Sequence, residues 1–285
     1  MIKEVMGVEV SDTTIHREIE TYGKLAETWI EQSNENAEAT PIEDHEVLYC
    51  EADGSMILTR EEGWKEVKLG RTFRSDSILD KRSEGNKIKE SNYVAHLGHF
   101  TDFCERMNKT LQEARQLGPR LVFVCDGALW IKNWMQEMYP EATQILDYFH
   151  AVEHLGKMAE HIVSEPKKEW TKRYATKLLE EGIEKTIQSL KMMPIVSAEG
   201  KKCKEKLLNY FESNAYRMDY PSYDQKGYYI GSGAIESAHR TVIQKRLKLS
   251  GQRWTMEGAQ RVLNLRVLKM SGKWNVVRNA IRTAA

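Results

Sequence analysis

The sequence predicts an α/β protein: a mixed five-stranded sheet with helices on both faces, interrupted by an all-helical insertion. Three observations predict it. Alternating, strand-like segments crowd between residues 47 and 73. A near-continuous apolar run, Leu121-Val122-Phe123-Val124-Cys125, suits a strand buried on both faces, as in a parallel sheet under helical cover. From Ala151 to about Met218 the apolar spacing is helical throughout, with breaks at Pro166 and between Pro194 and Gly200.

The elements follow in order. Ser11 and Asp12 open a helix, the first as N-cap and the second in the positive first turn. Ile15, Ile19, Tyr22, Leu25 and Trp29 keep the helical period to about Ser33. A capped helix behind a glycine, rich in Ser, Thr and Arg, suits the second helix of a helix-turn-helix as well as an ordinary amphipathic helix. Ser33 to Asp44 is a polar linker. Val47 to Ala52 is a strand, Asp53-Gly54-Ser55 its turn, and Met56 to Arg60 the partner strand. Trp64 to Phe73 alternates like a third strand, and the polar stretch Ser75 to Glu90 is a loop. Tyr93 to Leu97 either pairs weakly or begins the helix Phe100 to Gln116, which Gly118-Pro119 stops. After the apolar strand, Asp126-Gly127 leads into a helix, Leu129 to Met138, and Thr143 to Leu146 is a short strand ending at Asp147. Pro221 to Gly233 is irregular. Two basic helices follow, Ala234 to Leu249 and Met256 to Met270, the second capped by Thr255 and ended by Gly272. This strand order matches a ribonuclease H-like fold. The expected division is a helix-turn-helix segment at 1–34, the first part of the sheet domain at 45–150, the helical insertion at 151–226, and a terminal helical region at 227–285.

Composition narrows the function classes. With 285 residues, 41% hydrophobic and 29% charged, the chain can bury a sizeable core, and neither a disordered nor a fibrous protein fits. No apolar run approaches the ~18 residues of a membrane span, and the opening MIKEVMGVEV lacks the apolar core of a secretion signal. Cys50, Cys104, Cys125 and Cys203 form no CxxC pair and suit buried free thiols in a reducing, cytoplasmic setting. The net charge of zero hides a strong asymmetry. After Glu236 stand eleven Lys/Arg and one acid, leaving 31 basic and 41 acidic residues in positions 1–236. Such a tail suits a polyanion, although a solvated helix face has the same composition.

Three acids stand where chemistry is done. Asp53 follows the first strand, Asp126 follows the buried strand, and Glu236 lies in the first turn of a helix behind Gly231-Ser232-Gly233. Carboxylates at neighbouring strand ends, joined by one from a helix, suit two Mg²⁺ (or Mn²⁺) ions, which take hard oxygen ligands. Such a pair serves in-line phosphoryl displacement. Each acid also has a local alternative: a hairpin turn for Asp53, a helix cap for Asp126 and a dipole complement for Glu236. A second group is Asp147-Tyr148-Phe149-His150 with His154 one turn on; Asp147, His150 and His154 could share a face as zinc ligands do, or His150 and Asp147 could touch DNA, while Phe149 suits the core. Gly231-Ser232-Gly233 lacks the lysine and hydroxyl of a P-loop, and could offer backbone N–H groups to a phosphate or simply allow a tight turn. In the tail, Arg240, Lys245, Arg246, Lys248, Arg253, Arg261, Arg266, Lys269 and Lys273 supply phosphate affinity, and Arg253 with Trp254 could clamp a backbone or stack on a displaced base; core packing is the alternative for Trp254 and Trp274.

Several of these segments together carry a resemblance. Tyr228 to Ser237 (YYIGSGAIES), Arg246 to Trp254 (RLKLSGQRW), Ala52-Asp53-Gly54 and Gly63 to Gly70 (GWKEVKLG) resemble ISKra-type insertion-sequence transposases. Asp147-Tyr148-Phe149-His150 resembles the Asp/Cys-x-x-His motif of Mutator-like DDE transposases. The resemblance implies a ribonuclease H-like catalytic core with Asp53, Asp126 and Glu236 as a metal-binding triad and His150 and Asp147 as accessory residues. It implies an all-helical insertion between Asp126 and Glu236. It also implies cleavage at the ends of a mobile element, and transfer of the freed 3′-OH to target DNA. The implied partners are element ends, target DNA and a second copy of the chain, with no membrane and no small-molecule cofactor. Family members carry more chain ahead of the helix-turn-helix, so the sequence is expected to be an N-terminally truncated member. The rivals are a nuclease of the same fold without strand transfer, an inactive or repurposed DNA-binding protein, and a carbohydrate-hydrolysing carboxylate pair.

Overall fold

The computed structural model describes residues 10–33, 46–79, 87–162 and 165–284. The chain is α/β. Its elements are helix α1 (Asp12–Ser33), strands β1 (Leu48–Thr59), β2 (Gly63–Arg74), β3 (Ile78–Leu79), β4 (Lys87–Ile88) and β5 (Asn92–Leu97), helix α2 (Phe100–Thr110), strand β6 (Leu121–Cys125), helix α3 (Leu129–Met138) and strand β7 (Thr143–Leu146). Then come α4 (Tyr148–Ala159), α5 (Lys167–Glu180), α6 (Ile183–Met192), α7 (Ala198–Asn214), α8 (Tyr220–Gln225), α9 (Gly233–Ala238), a π-helical turn (His239–Gln244), α10 (Lys245–Leu247), α11 (Met256–Met270) and α12 (Asn275–Ala284). Five strands make one mixed sheet in the order β5-β2-β1-β6-β7, and β3 and β4 make a separate two-stranded sheet. The chain divides into two compact units, one of residues 1–116 and 234–285, the other of residues 117–233.

In the first unit, β1 is a single twelve-residue strand running through Asp53 and Gly54, antiparallel to β2 with Asp53 opposite Leu69. The expected turn at Asp53-Gly54-Ser55 is therefore corrected: Asp53 lies within a strand, not after one. Gly54 is there because the Glu66 side chain of β2 fills the space a Cβ would need. The real turn is at residues 60–62. Thr59 Oγ1 accepts from Glu62 N at 3.2 Å and donates to Gly63 O at 2.8 Å, and Gly63 takes φ 69°. The third antiparallel strand is β5, paired with β2 from Val67↔Leu97 to Thr72↔Asn92. Five strands were expected and five form the sheet, but two expected strands merge into β1 and Tyr93 to Leu97 supplies the missing member.

Helices cover both faces of this three-stranded part. Phe103 and Met107 of α2 press on the bare backbone of Gly70 on one face. On the other, Ile57, Leu69, Tyr93 and Leu97 form a core with Ile235, Val242, Leu247 and Leu263 of the terminal helices. Helix α1 packs on α11: a Cβ at Gly23 would meet Arg261, which pairs with Glu20, and Ser11 caps α1 through Thr14 N at 3.1 Å. The rest of the expected helix-turn-helix (1–9) and all of the expected linker after Ser33 (34–44) lie outside the described residues. The expected loop from Ser75 to Glu90 contains β3 and β4, with 80–86 outside the described residues.

In the second unit, β6 is buried at all five positions and pairs in parallel with β7. Helices α4 to α8 fill residues 148–225 apart from short breaks. Residues Pro221 to Gln225, expected to be irregular, are helical, with the proline in the first turn of α8 where its missing N–H costs nothing. Helix Phe100 to Gln116 stops early at Thr110, and a 3₁₀ segment, Glu113–Arg120, follows with Gly118 at φ 53°. The expected helix Ala234 to Leu249 is broken by the π-turn at His239 and ends at Leu247. All four cysteines are free and three are buried.

Candidate functional site

The three expected acids fall in both units, Asp53 and Glu236 in the first and Asp126 in the second. In the first unit, the carboxylate of Asp53 is 38% exposed. Its Oδ1 accepts from Gly54 N at 2.6 Å, and its Oδ2 lies 3.1 Å from Nε2 of the buried His239. His239 stands three residues beyond Glu236, at the first residue of the π-turn. Such turns accompany functional sites because they re-aim side chains within a helix. Glu236 is exposed in the first turn of α9, as expected.

Beneath them lies a buried charged layer that sequence reasoning missed. Alternation along β1 puts Glu51 on the same face as Asp53, and Glu51 is fully buried. Across the strand pair, Glu51 stands opposite the buried Arg71. The Arg71 guanidinium lies between the rings of Phe73 and Tyr93, at 5.5 and 5.4 Å, and donates from Nε to Ser91 Oγ at 3.0 Å. Its Nη1 donates to the Ala234 carbonyl at 2.6 Å, which fixes the turn that carries Glu236. The signal available was the i, i+2 pair Glu51/Asp53, but it becomes visible only once β1 is known to run through Asp53.

In the second unit, Asp126 and Asp147 follow the carboxyl ends of the parallel strands β6 and β7, whose last paired residues are Cys125 and Leu146. Asp147 N donates to Cys125 O at 2.9 Å, so the two acids emerge side by side. Carboxyl ends of parallel strands are the usual place for ligands in α/β sheets. The two acids nevertheless differ. Asp126 Oδ1 accepts from Ala128 N at 2.9 Å and shapes the turn into α3. Asp147 is buried; its Oδ1 accepts from Phe149 N at 2.9 Å and Ser232 N at 3.2 Å, and its Oδ2 accepts from Ser232 Oγ at 2.5 Å. Asp147 thus caps α4 and ties down the Gly231-Ser232-Gly233 loop. It is held as a structural acid, and Ser232 is occupied by it. Gly231 is required because Phe149 lies where its Cβ would be, 2.5 Å away, although Phe149 itself is 59% exposed and is not the core residue expected.

Aromatic groups pack around this end of the unit. Tyr210 packs on Gly127, and its hydroxyl is pushed up to about 12, first by burial, with Asp126 and Asp147 adding to the shift. His154 stacks on Tyr210 with ring centroids 4.1 Å apart and is pushed down to about 4, first by burial and then by His150 and Lys157. His154 is therefore a neutral packing residue at pH 7. His150 lies edge-on to it at 5.4 Å, partly exposed, with Nδ1 3.7 Å from Glu153 Oε2. Tyr210 was not anticipated, since it lies on α7, more than eighty residues from Asp126.

Among the described residues, no group of three or more His, Cys, Asp or Glu is gathered closely enough to hold a metal ion. In the tail, Arg240, Lys245, Arg246, Lys248 and Arg253 are exposed as expected. Trp254 is partly buried: it packs against the first unit's core, and its Nε1 donates to Leu247 O at 3.2 Å.

A family model matches residues 2–281, nearly the whole chain. The chain belongs to the uncharacterised protein family UPF0236. No curated protein matches it. Among the described residues of this family member, no helix is long and apolar enough to cross a membrane.

Proposed function

We propose that the protein is a DDE-type DNA transposase with a ribonuclease H-like catalytic core, in which Asp53, Asp126 and Glu236 act together. The observation that carries this reading is where the acids fall on the sheet. Counting only its five members, the sheet runs 3-2-1-4-5, antiparallel among the first three and parallel in the last pair, the order expected of that fold. One acid lies on its middle strand, one at the end of the first strand of the parallel pair, and one opens the helix that follows the helical insertion.

The chain's residues then have distinct tasks. The carboxylates would offer the hard oxygen donors that Mg²⁺ or Mn²⁺ accepts, and Asp53 and Glu236 both reach solvent. When bound, a pair of these ions supplies an activated attacking oxygen and stabilises the leaving oxygen. His239 and Gly54 N orient Asp53. Arg71 fixes the turn that carries Glu236. The exposed basic residues of the tail hold the phosphate backbone without reading sequence.

The test incubates the full chain with Mg²⁺ or Mn²⁺, a labelled duplex of the chromosomal DNA bordering its own gene, and a supercoiled plasmid as target. Covalent joining of label to plasmid is expected, reduced to background by Asp53→Ala, Asp126→Ala and Glu236→Ala. Nicking without joining would assign a nuclease instead. Absence of both reactions with either ion, or joining that survives all three substitutions, would overturn the proposal.

A further inference from the structure

A cleft of about 300 Å³ opens in the first unit between the β1–β2 hairpin and residues 247–253. Ile57, Leu58, Trp64 and Leu249 give it apolar walls, and Lys248 and Arg253 stand at its edge. Two of the walls are unusually bare for apolar side chains, Trp64 at 63% exposure and Leu249 at 53%. The cleft is built rather than incidental. A parallel bridge joins Thr59 to Trp254, with Arg60 N donating to Trp254 O at 2.8 Å and Trp254 N to Leu58 O at 3.2 Å. Leu249 N donates to Gln252 Oε1 at 3.1 Å, and Lys248 Nζ lies 3.2 Å from Ser55 Oγ. The segment that forms one wall is thereby pinned to the strand that forms the other. The nearby acids are engaged elsewhere: Glu62 pairs with Lys65, and Glu61 accepts from Met256 N at 3.3 Å.

An exposed indole beside two cations and an apolar recess is the combination that holds an unpaired nucleotide: the ring stacks on the base and the cations hold its phosphates. The indole that could have served from within the tail, Trp254, is packed inward, while Trp64 faces outward. We propose that this cleft receives an unpaired base of a DNA strand, stacked on Trp64, with Lys248 and Arg253 on the adjoining phosphates. The proposal rests on DNA being the ligand, and it adds a binding site to the proposed acids. Leu58 is five residues from Asp53, about 17 Å along β1. That corresponds to about five base steps of a DNA strand, so the captured base lies about five nucleotides from the phosphate at Asp53.

The experiment measures binding in EDTA, without chemistry, by fluorescence anisotropy. It compares a blunt 20-base-pair duplex with the same duplex carrying a five-nucleotide thymidine overhang. The unaltered chain is expected to favour the overhang. Trp64→Ala should weaken overhang binding about tenfold, the size of one lost base–aromatic stack, and leave blunt-duplex binding unchanged; Trp64→Phe should restore most of it. Because Trp64 is mostly exposed, an unchanged thermal midpoint for these variants will show that folding is not the cause. Equal binding of both duplexes by the unaltered chain, or a Trp64→Ala loss that is the same for both, would overturn the cleft and leave DNA binding standing. No binding of either duplex would overturn the cleft and the DNA reading together.

Discussion

Asp53 and Asp147 make an instructive pair. Each was expected at a strand end, and each was considered for chemistry. In the first unit Asp53 is 38% exposed and touches one backbone N–H and one histidine. In the second, Asp147 is buried and accepts three hydrogen bonds, two from Ser232 and one from Phe149 N. A carboxylate whose lone pairs are taken by buried donors has little left for a ligand, whereas a half-exposed one with a backbone N–H and a single histidine beside it keeps capacity. Burial and donor count, rather than residue type or position after a strand, separate the structural acid from the one that keeps capacity for a ligand.

The largest effect that sharpens this contrast is on stability. Asp147→Ala leaves the Ser232 N–H and hydroxyl and the Phe149 N–H without their acceptor. We expect a loss of about 3 kcal/mol in urea unfolding. Asp53→Ala, at a half-exposed contact with His239, should cost under about 1 kcal/mol while removing the proposed strand joining. Equal costs for the two would erase the distinction.

A smaller effect tests the same loop through its backbone. Gly231→Ala would bring a Cβ to 2.5 Å from the Phe149 ring. Since Phe149 is largely exposed it can yield, and a cost of about 1–2 kcal/mol is expected, at the lower part of the range for overpacking. The double change Gly231→Ala with Phe149→Ala should recover most of it. Gly54→Ala in the first unit provides the counterpart, because there the obstructing group is the side chain of Glu66.

What the sequence made legible follows the same division between local and distant causes. Caps are decided within a few residues, and Ser11 and Thr255 both cap as expected, Thr255 through Gly258 N at 3.0 Å. The buried strand Leu121 to Cys125 was legible because five consecutive apolar residues have few other uses. Asp53-Gly54 favours a turn locally, while the space taken by Glu66, which keeps Gly54 within a strand, is set across the sheet. The tie from Ser232 to Asp147 spans 85 residues and has no local signature. Trp254 and Trp64 are the same residue type, and the contacts that turn Trp254 inward, the bridge to Thr59 and the hydrogen bond to Leu247 O, have no local signature.

The aromatic packing of the second unit should also appear in the pH dependence of stability. His154 is held at about 4, below its ordinary 6.5, chiefly by burial. As pH falls below 6.5 the unfolded chain takes up a proton at this position and the folded chain does not, so stability present above 6.5 is lost progressively down to about 4. His154→Phe keeps a ring against Tyr210 and removes the titration. Urea midpoints measured between pH 7 and 4 should therefore fall less steeply for the variant than for the unaltered chain. Parallel curves would mean that His154 titrates normally and that the stack on Tyr210 is loose.

The smallest expected effect separates the basic residues of the two units. Many lysines of the second unit's helices already face carboxylates: Lys167 pairs with Glu160 at 2.6 Å, Lys177 with Glu181 at 2.9 Å and Lys191 with Glu212 at 2.7 Å. In the first unit Lys245 and Arg246 are exposed on a segment that carries ten more positive than negative charges after Glu236. A cation that already holds a carboxylate releases few counterions when DNA arrives, whereas an exposed one contributes about 0.9 to the slope of log affinity against log salt. Replacing Lys245 and Arg246 with alanine should lower that slope by about 2 on a blunt duplex. Replacing Lys177 and Lys191 should leave it within error. If the second pair moves the slope as much as the first, phosphate contact is spread over both units, and the charge asymmetry of the sequence is not what directs DNA to the tail.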